Sequence, residues 1–128
     1  MNRSPVEAVR AYIDRVNAAD VGGLVELMTP DHVFYVDGEA PLSGREAMRK
    51  AWSGYFAAYP TYRIHVDEVY DRGEQVVVAG HTSGSHVPAA VEQVPRCVLW
   101  EARVVDGLIA TWVIYPASPE NRRRFGLP

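Results

Sequence analysis

The sequence predicts an α+β domain, with helices gathered in its first half and a run of long, mostly antiparallel strands in its second. Three observations lead there. Apolar residues recur at helical spacing at Val6, Val9, Ile13 and Val16, and again along a broad stripe from Ala47 to Tyr59. From Tyr62 onward, β-branched and aromatic runs alternate with the turn pairs Arg72-Gly73 and Asp106-Gly107. Helices segregated from an antiparallel run imply α+β rather than an alternating parallel-sheet order. The 128 residues suit a single domain, 1–128.

Each element has a local cause. Ser4-Pro5-Val6-Glu7 opens the first helix, with Ser4 as cap, Pro5 at the first helical position and Glu7 completing a capping box. Asp20 reads as the cap of a second helix carrying Leu24, Val25, Leu27 and Met28, stopped by Thr29-Pro30. His32 to Val36 is strand-like, with His32 near the surface, and Asp37-Gly38 turns the chain. Ser43-Gly44-Arg45-Glu46 reads as a second capping box, opening a third helix that Pro60 closes. Strands are expected over Tyr62–Tyr70, Gln75–Val87, Arg96–Val105 and Leu108–Tyr115, and Ser118-Pro119 caps a short last helix.

Composition narrows the function classes. With 48% hydrophobic and 23% charged residues the chain has a globular balance. A net charge of −3 argues against nucleic acid or an anionic membrane as the main partner, and no apolar stretch has spanning length. Arg122-Arg123-Arg124 reads as a solvated C-terminal turn. The N-terminus does not read as a signal or transit peptide, and the one cysteine, Cys97, suits a reducing cytoplasm. Cys97 lies in an apolar run and reads as a bystander rather than a nucleophile. There is no His-Glu-x-x-His, Cys-x-x-Cys or Gly-rich phosphate loop, and the four histidines lack tight spacing, so neither a metal nor a nucleotide cofactor is expected.

Strand alternation assigns faces. Val98, Trp100, Ala102 and Val104 share one side of their strand and are expected to face inward, as are Trp112 and Ile114 on the next. Cys97, Leu99, Glu101 and Arg103 fall on the other side, giving an outer face of mixed character. His65 and His81 are expected on that opposite face.

Taken in order, these segments resemble the NTF2-like superfamily, and within it the SnoaL-like polyketide cyclases and ketosteroid isomerases. Tyr12-Ile13-Asp14 with Asp20 to Met28 looks like the family's opening helix pair. Val36-Asp37-Gly38 through Pro41-Leu42-Ser43-Gly44-Arg45-Glu46 looks like its strand, loop and third-helix start. Gly80-His81-Thr82-Ser83-Gly84-Ser85-His86 looks like its small-residue strand ending in histidine, and Val105-Asp106-Gly107-Leu108-Ile109 with Trp112 like its closing hairpin.

The resemblance implies a conical pocket between a strongly curved sheet and three helices, and a homodimer joined through the outer sheet face. It puts Tyr12 in the place of the tyrosine that hydrogen-bonds a developing oxyanion in ketosteroid isomerases, and His86 at the family's histidine. Asp37 lies at or next to the place of the general base, where an ungapped count puts Val36, and aspartate before glycine is also an ordinary turn residue. Trp100 stands where the isomerases carry a second acid, and Pro116 where the cyclases carry one four residues after Trp112. The expectation is an acid–base enzyme without a cofactor, acting on a small hydrophobic carbonyl compound such as a polyketide or terpenoid. Asp37 or His86 would take the proton, Tyr12 would stabilise the enolate, and Trp100 and Trp112 would hold the ring system. Trp52, Tyr55, Phe56, Val98 and Ile114 are the further candidates for substrate contact. The alternative is a non-catalytic binding or carrier domain of the same fold.

Overall fold

In the computed structural model, which describes residues 2–128, helix α1 (Pro5–Asn17) begins at a complete capping box. The Ser4 hydroxyl accepts from the Glu7 amide, and the Glu7 carboxylate accepts from the Ser4 amide at 2.9 Å. Its buried stripe is Ala8, Val9, Tyr12, Ile13 and Val16. Helix α2 (Val21–Glu26) is capped by Asp20, whose carboxylate accepts from the Gly23 amide. Strand β1 (Met28–Val36) follows at once, four residues earlier than the sequence suggests. Pro30 sits in a register shift between Met28 and Val33, where its missing N–H interrupts no ladder bond. His32 is therefore fully buried rather than near the surface.

Strand β2 (Leu42–Ser43) pairs with β1 and precedes helix α3 (Arg45–Ala58). The expected capping box at Ser43 does not form. Ser43 is taken into the β1 ladder opposite Val33, and Gly44, at φ +89°, becomes the N-cap without any side-chain bond. The rest of the sheet is β3 (Arg63–Arg72), β4 (Gln75–Ser83), β5 (Val98–Val105) and β6 (Leu108–Pro116). Strand β4 ends four residues before Val87, because Gly84 turns at φ +71° against Thr61 and Pro88 follows. The 14-residue connection Gly84–Cys97 is a strap that carries the short helix α4 (Ala89–Glu92), too short to leave a periodic signal in the sequence. Asp106 and Gly107 both adopt positive φ, as a two-residue hairpin of this twist requires.

The six strands form one curved, unclosed sheet in the order β2-β1-β6-β5-β4-β3, antiparallel except for the β1–β6 pair. Its inner face packs on α1 and α3 around Tyr12, Trp100 and Trp112, each at most 1% exposed. Burying a large apolar side chain contributes roughly 2–3 kcal/mol, offset here by the Tyr12 hydroxyl and the indole N–H groups of Trp100 and Trp112, which have no hydrogen-bond partner. The outer face is less mixed than expected. Leu99 is fully buried there with Val77, Ala79, Val113 and Tyr115, beneath Phe125 and Leu127. Those two residues arrive by helix α5 (Pro119–Arg124), which Ser118 caps. Of the arginine cluster, Arg123 and Arg124 are exposed as expected, in the last turn of α5, while Arg122 is half-buried in this cover. Arg122 donates to the carbonyls of Ala117 and Arg96, and the Arg124 guanidinium lies 4.9 Å from the Tyr115 ring centre. Among the described residues no helix is long and apolar enough to cross a membrane.

Candidate active site

A cavity of about 370 Å³ opens between α3, the inner faces of β1, β4, β5 and β6, and the strap after β4. Its apolar wall includes Phe34 and Val36 from β1, Met48 and Trp52 from α3, Val98 and Trp100 from β5, and Ile114 from β6. Polar groups reach it from Tyr55, Tyr62, Thr82, Ser85, His86 and Glu39. An apolar hollow with a few convergent polar groups is the usual form of a small-molecule site.

Side-chain periodicity explains who is present. On α3, Met48, Ala51, Trp52 and Tyr55 follow one another at helical spacing and share the cavity face. On β5, Val98 and Trp100 point inward as alternation requires. Gly80 on β4 leaves room for Trp100, since a Cβ there would lie 2.9 Å from Cζ3 of that indole. Thr82, two residues on, continues the inward face into the cavity.

The candidates from sequence divide between the wall and its surroundings. Trp52, Tyr55, Val98, Trp100, Ile114 and His86 line the cavity. Phe56 stacks on Trp52, 5.2 Å between ring centres, and lies behind it. Trp112 packs against Tyr12 at 4.4 Å in the core and does not reach the wall. Tyr12 itself is fully buried, and its hydroxyl has no hydrogen-bond partner. Burial drives its pKa well above the ordinary phenol value, offset in part by the neighbouring Trp52 indole, whose N–H also lacks a properly aligned partner. Asp37 is exposed in the turn after β1, its amide donating to the Ile114 carbonyl, while Val36 occupies the adjoining wall position. The hairpin turn carries Asp37 past the end of the strand, so its carboxylate is not among the groups lining the cavity.

His86 is not at the end of a strand but in the strap, where its Nδ1 lies 2.8 Å from the Tyr55 hydroxyl and its amide donates to the same oxygen at 3.4 Å. Burial raises the Tyr55 pKa, with a contribution from the nearby Glu92 charge, so the phenol stays protonated. The pair supports either half of an acid–base cycle. With Tyr55 donating, His86 carries its proton on Nε2; with Nδ1 donating, Nε2 has a free lone pair.

Sequence reasoning missed Tyr62, Thr82, Ser85, Glu39 and above all Glu92. Glu92 is only 4% exposed and accepts from the Thr82 hydroxyl at 2.7 Å and from the Ser85 amide at 3.3 Å. No spacing rule could have found it, because its burial depends on the strap folding back. Cys97 ends the strap with its thiol donating to the Glu92 carbonyl, and burial pushes its pKa up, which fits a bystander. On the opposite face His65 and His81 stack at 4.9 Å, with His81 held by Asp67 at 2.9 Å and His65 by Ser83 at 2.8 Å.

Comparisons with known proteins place the chain. No curated protein matches it. Its fold is shared with an NTF2-like protein of unknown function from Cytophaga hutchinsonii, at 11% identity over 94% of this chain and 96% of that one, TM-score 0.71. A protein provisionally assigned as a polyketide cyclase from Sinorhizobium meliloti aligns at 25% identity over 84% of this chain and 92% of that one, TM-score 0.70. An epoxide hydrolase from M. tuberculosis aligns at 14% identity over 88% and 81%, TM-score 0.70. The family model of the SnoaL-like domain matches residues 9–112, and the chain belongs to the SnoaL-like domain family.

Proposed function

We propose that the cavity binds a small, largely apolar carbonyl compound of polyketide or terpenoid type and converts it by acid–base chemistry, with His86 moving the proton. The observation that carries this reading is the 2.8 Å contact between His86 Nδ1 and the Tyr55 hydroxyl, at the wall of a largely apolar cavity. A phenol oxygen that accepts from Nδ1–H orients the imidazole and holds the tautomer in which Nε2 has a free lone pair to take a proton from the ligand. A similar fold in an epoxide hydrolase and in a protein provisionally assigned as a polyketide cyclase is consistent with such chemistry in this hollow. The experiment uses 2-tetralone in D2O, following exchange of its α-protons by NMR. Wild type should accelerate exchange, His86→Gln should abolish the acceleration, and Tyr55→Phe should lower it by about 10²-fold or less. Full acceleration by His86→Gln would remove histidine from the proposal.

A second reading, a non-catalytic binding domain, has one specific observation in its favour. Asp37 is exposed, and the only carboxylate among the lining residues is Glu39, itself an exposed side chain. Saturable quenching of tryptophan fluorescence by 2-tetralone, with no exchange above background, would establish that reading. In either case we propose that the outer face pairs with a second copy of the chain. Tyr35, Gln75, Glu101, Arg103, Thr111 and Val113 form a shallow groove there that carries one acid and one base, self-complementary as a two-fold contact needs. Arg103→Glu should convert a dimer to a monomer in sedimentation equilibrium, and a wild-type monomer would refute the pairing.

A further inference from the structure

The strap buries a carboxylate where a stable fold has little use for one. Glu92 sits on a helix of four residues, 4% exposed, while its neighbours Val91 and Val94 are 59% and 50% exposed. Among the described residues no cationic side chain lies within 4.0 Å of it. A buried carboxylate without a cation is expensive unless hydrogen bonds satisfy it. Glu92 has two donors, the Thr82 hydroxyl and the Ser85 amide, and both belong to residues that line the cavity. Ser85 directly precedes His86, and Tyr55, the partner of His86, feels the Glu92 charge, as does the Tyr62 phenol.

We propose that Glu92 is the positioning residue of this site, its buried carboxylate fixing the Thr82 hydroxyl and the Ser85 amide so that His86 is held against Tyr55. The inference rests on the reading of His86 and Tyr55 as the working pair. The carboxylate closes the segment Thr82–Ser85 onto α4, and that closure sets where the next residue leaves the wall. A glutamine at position 92 would keep an oxygen for both donors, whereas alanine would leave both without a partner.

The test follows the His86 imidazole in the full chain by ¹⁵N NMR, assigned with His86→Gln, in wild type, Glu92→Gln, Glu92→Ala and Tyr55→Phe. Wild type should show the nitrogen shifts of one dominant tautomer, and Tyr55→Phe defines the averaged shifts of an unanchored ring. Glu92→Ala should move His86 to the Tyr55→Phe values, and Glu92→Gln should restore the wild-type ones. If Glu92→Ala does not fold, Thr82→Val takes its place, with a shift in the same direction expected. Loss of thermal stability with unchanged His86 shifts, in Glu92→Ala or in Thr82→Val, would overturn the proposal and leave Glu92 a structural group. This readout is independent of turnover. Unimpaired exchange by His86→Gln would sink the acid–base reading while leaving the tautomer result to judge Glu92 separately.

Discussion

Replacing Gly80 by alanine tests how tightly the sheet holds the cavity wall. The added Cβ would press into the backbone carbonyl of His65 and lie 2.9 Å from Cζ3 of Trp100. Neither neighbour can give way. The carbonyl belongs to the β3–β4 ladder, in which Val66 faces Gly80, and Trp100 is 1% exposed among core side chains. Overpacking of this kind costs about 1–3 kcal/mol, and a backbone clash puts Gly80→Ala at the upper end. At roughly 3–4 °C per kcal/mol for a domain of this size, Tm should fall by about 10 °C. Gly54→Ala is the control, since that glycine lies within α3 with nothing inside 4 Å of a new Cβ. It should gain about 0.5–1 kcal/mol from helix propensity alone. Thermal unfolding followed by circular dichroism, with tryptophan emission reporting on Trp100, measures both variants. An unchanged Tm and emission maximum for Gly80→Ala would refute the claim that this glycine exists to seat Trp100.

Three further outcomes are expected. Ser118→Ala removes the cap bond to the Asn121 amide and should lower stability by about 1 kcal/mol in urea unfolding, loosening the cover that Phe125 and Leu127 give the outer face. Burial holds the His32 imidazole below its ordinary value of 6.5, opposed by its bond to the Ile109 carbonyl and by the Asp31 charge. The stability this neutral histidine contributes is therefore complete above about pH 6.5 and is lost as pH falls toward its folded value, so the urea midpoint should drop between about pH 7.5 and 5.5, and less so in His32→Gln. Tyr12→Phe deletes a buried hydroxyl that has no partner and should raise stability by about 1 kcal/mol; a loss of similar size would show that the Trp52 indole satisfies it.

Much of the fold was legible because local chemistry and tertiary packing agree. The box at Ser4, the caps at Asp20 and Ser118, the hairpin at Asp106-Gly107 and the inward alternation of Val98, Trp100 and Ala102 are all set by residues within a few positions of each other. The misreadings arise where a distant partner wins. Ser43 has the chemistry of a helix cap, but a strand 10 residues upstream takes it into a ladder. Leu99 alternates toward solvent until a C-terminal segment covers it. The expected strand continues through Ser83 to Val87, a run of mostly small residues, but the positive φ of Gly84 against Thr61, with Pro88 beyond, ends β4 at Ser83.

The site was legible on one wall and hidden on the other, for the same reason. Aromatic and aliphatic lining follows from periodicity, so Trp52, Tyr55, Val98, Trp100 and Ile114 could be named from spacing. Polar groups on a connection carry no period. Glu92 and His86 are six residues apart in an irregular strap, and they converge only because Thr82 and Tyr55 receive them. The positions at which the resemblance would put acids hold Val36, Trp100 and Pro116, which cannot transfer a proton. Under the proposed function the proton-moving group thus stands on the strap rather than on β1. A rigid sheet then supplies the shape of the cavity while a loop supplies its reactivity, the division by which one scaffold accommodates many reactions. It also follows that exchanging strap residues Ser85–Val87 should alter chemistry with little effect on the sheet, whereas changes at Gly80 or Trp100 should disturb both.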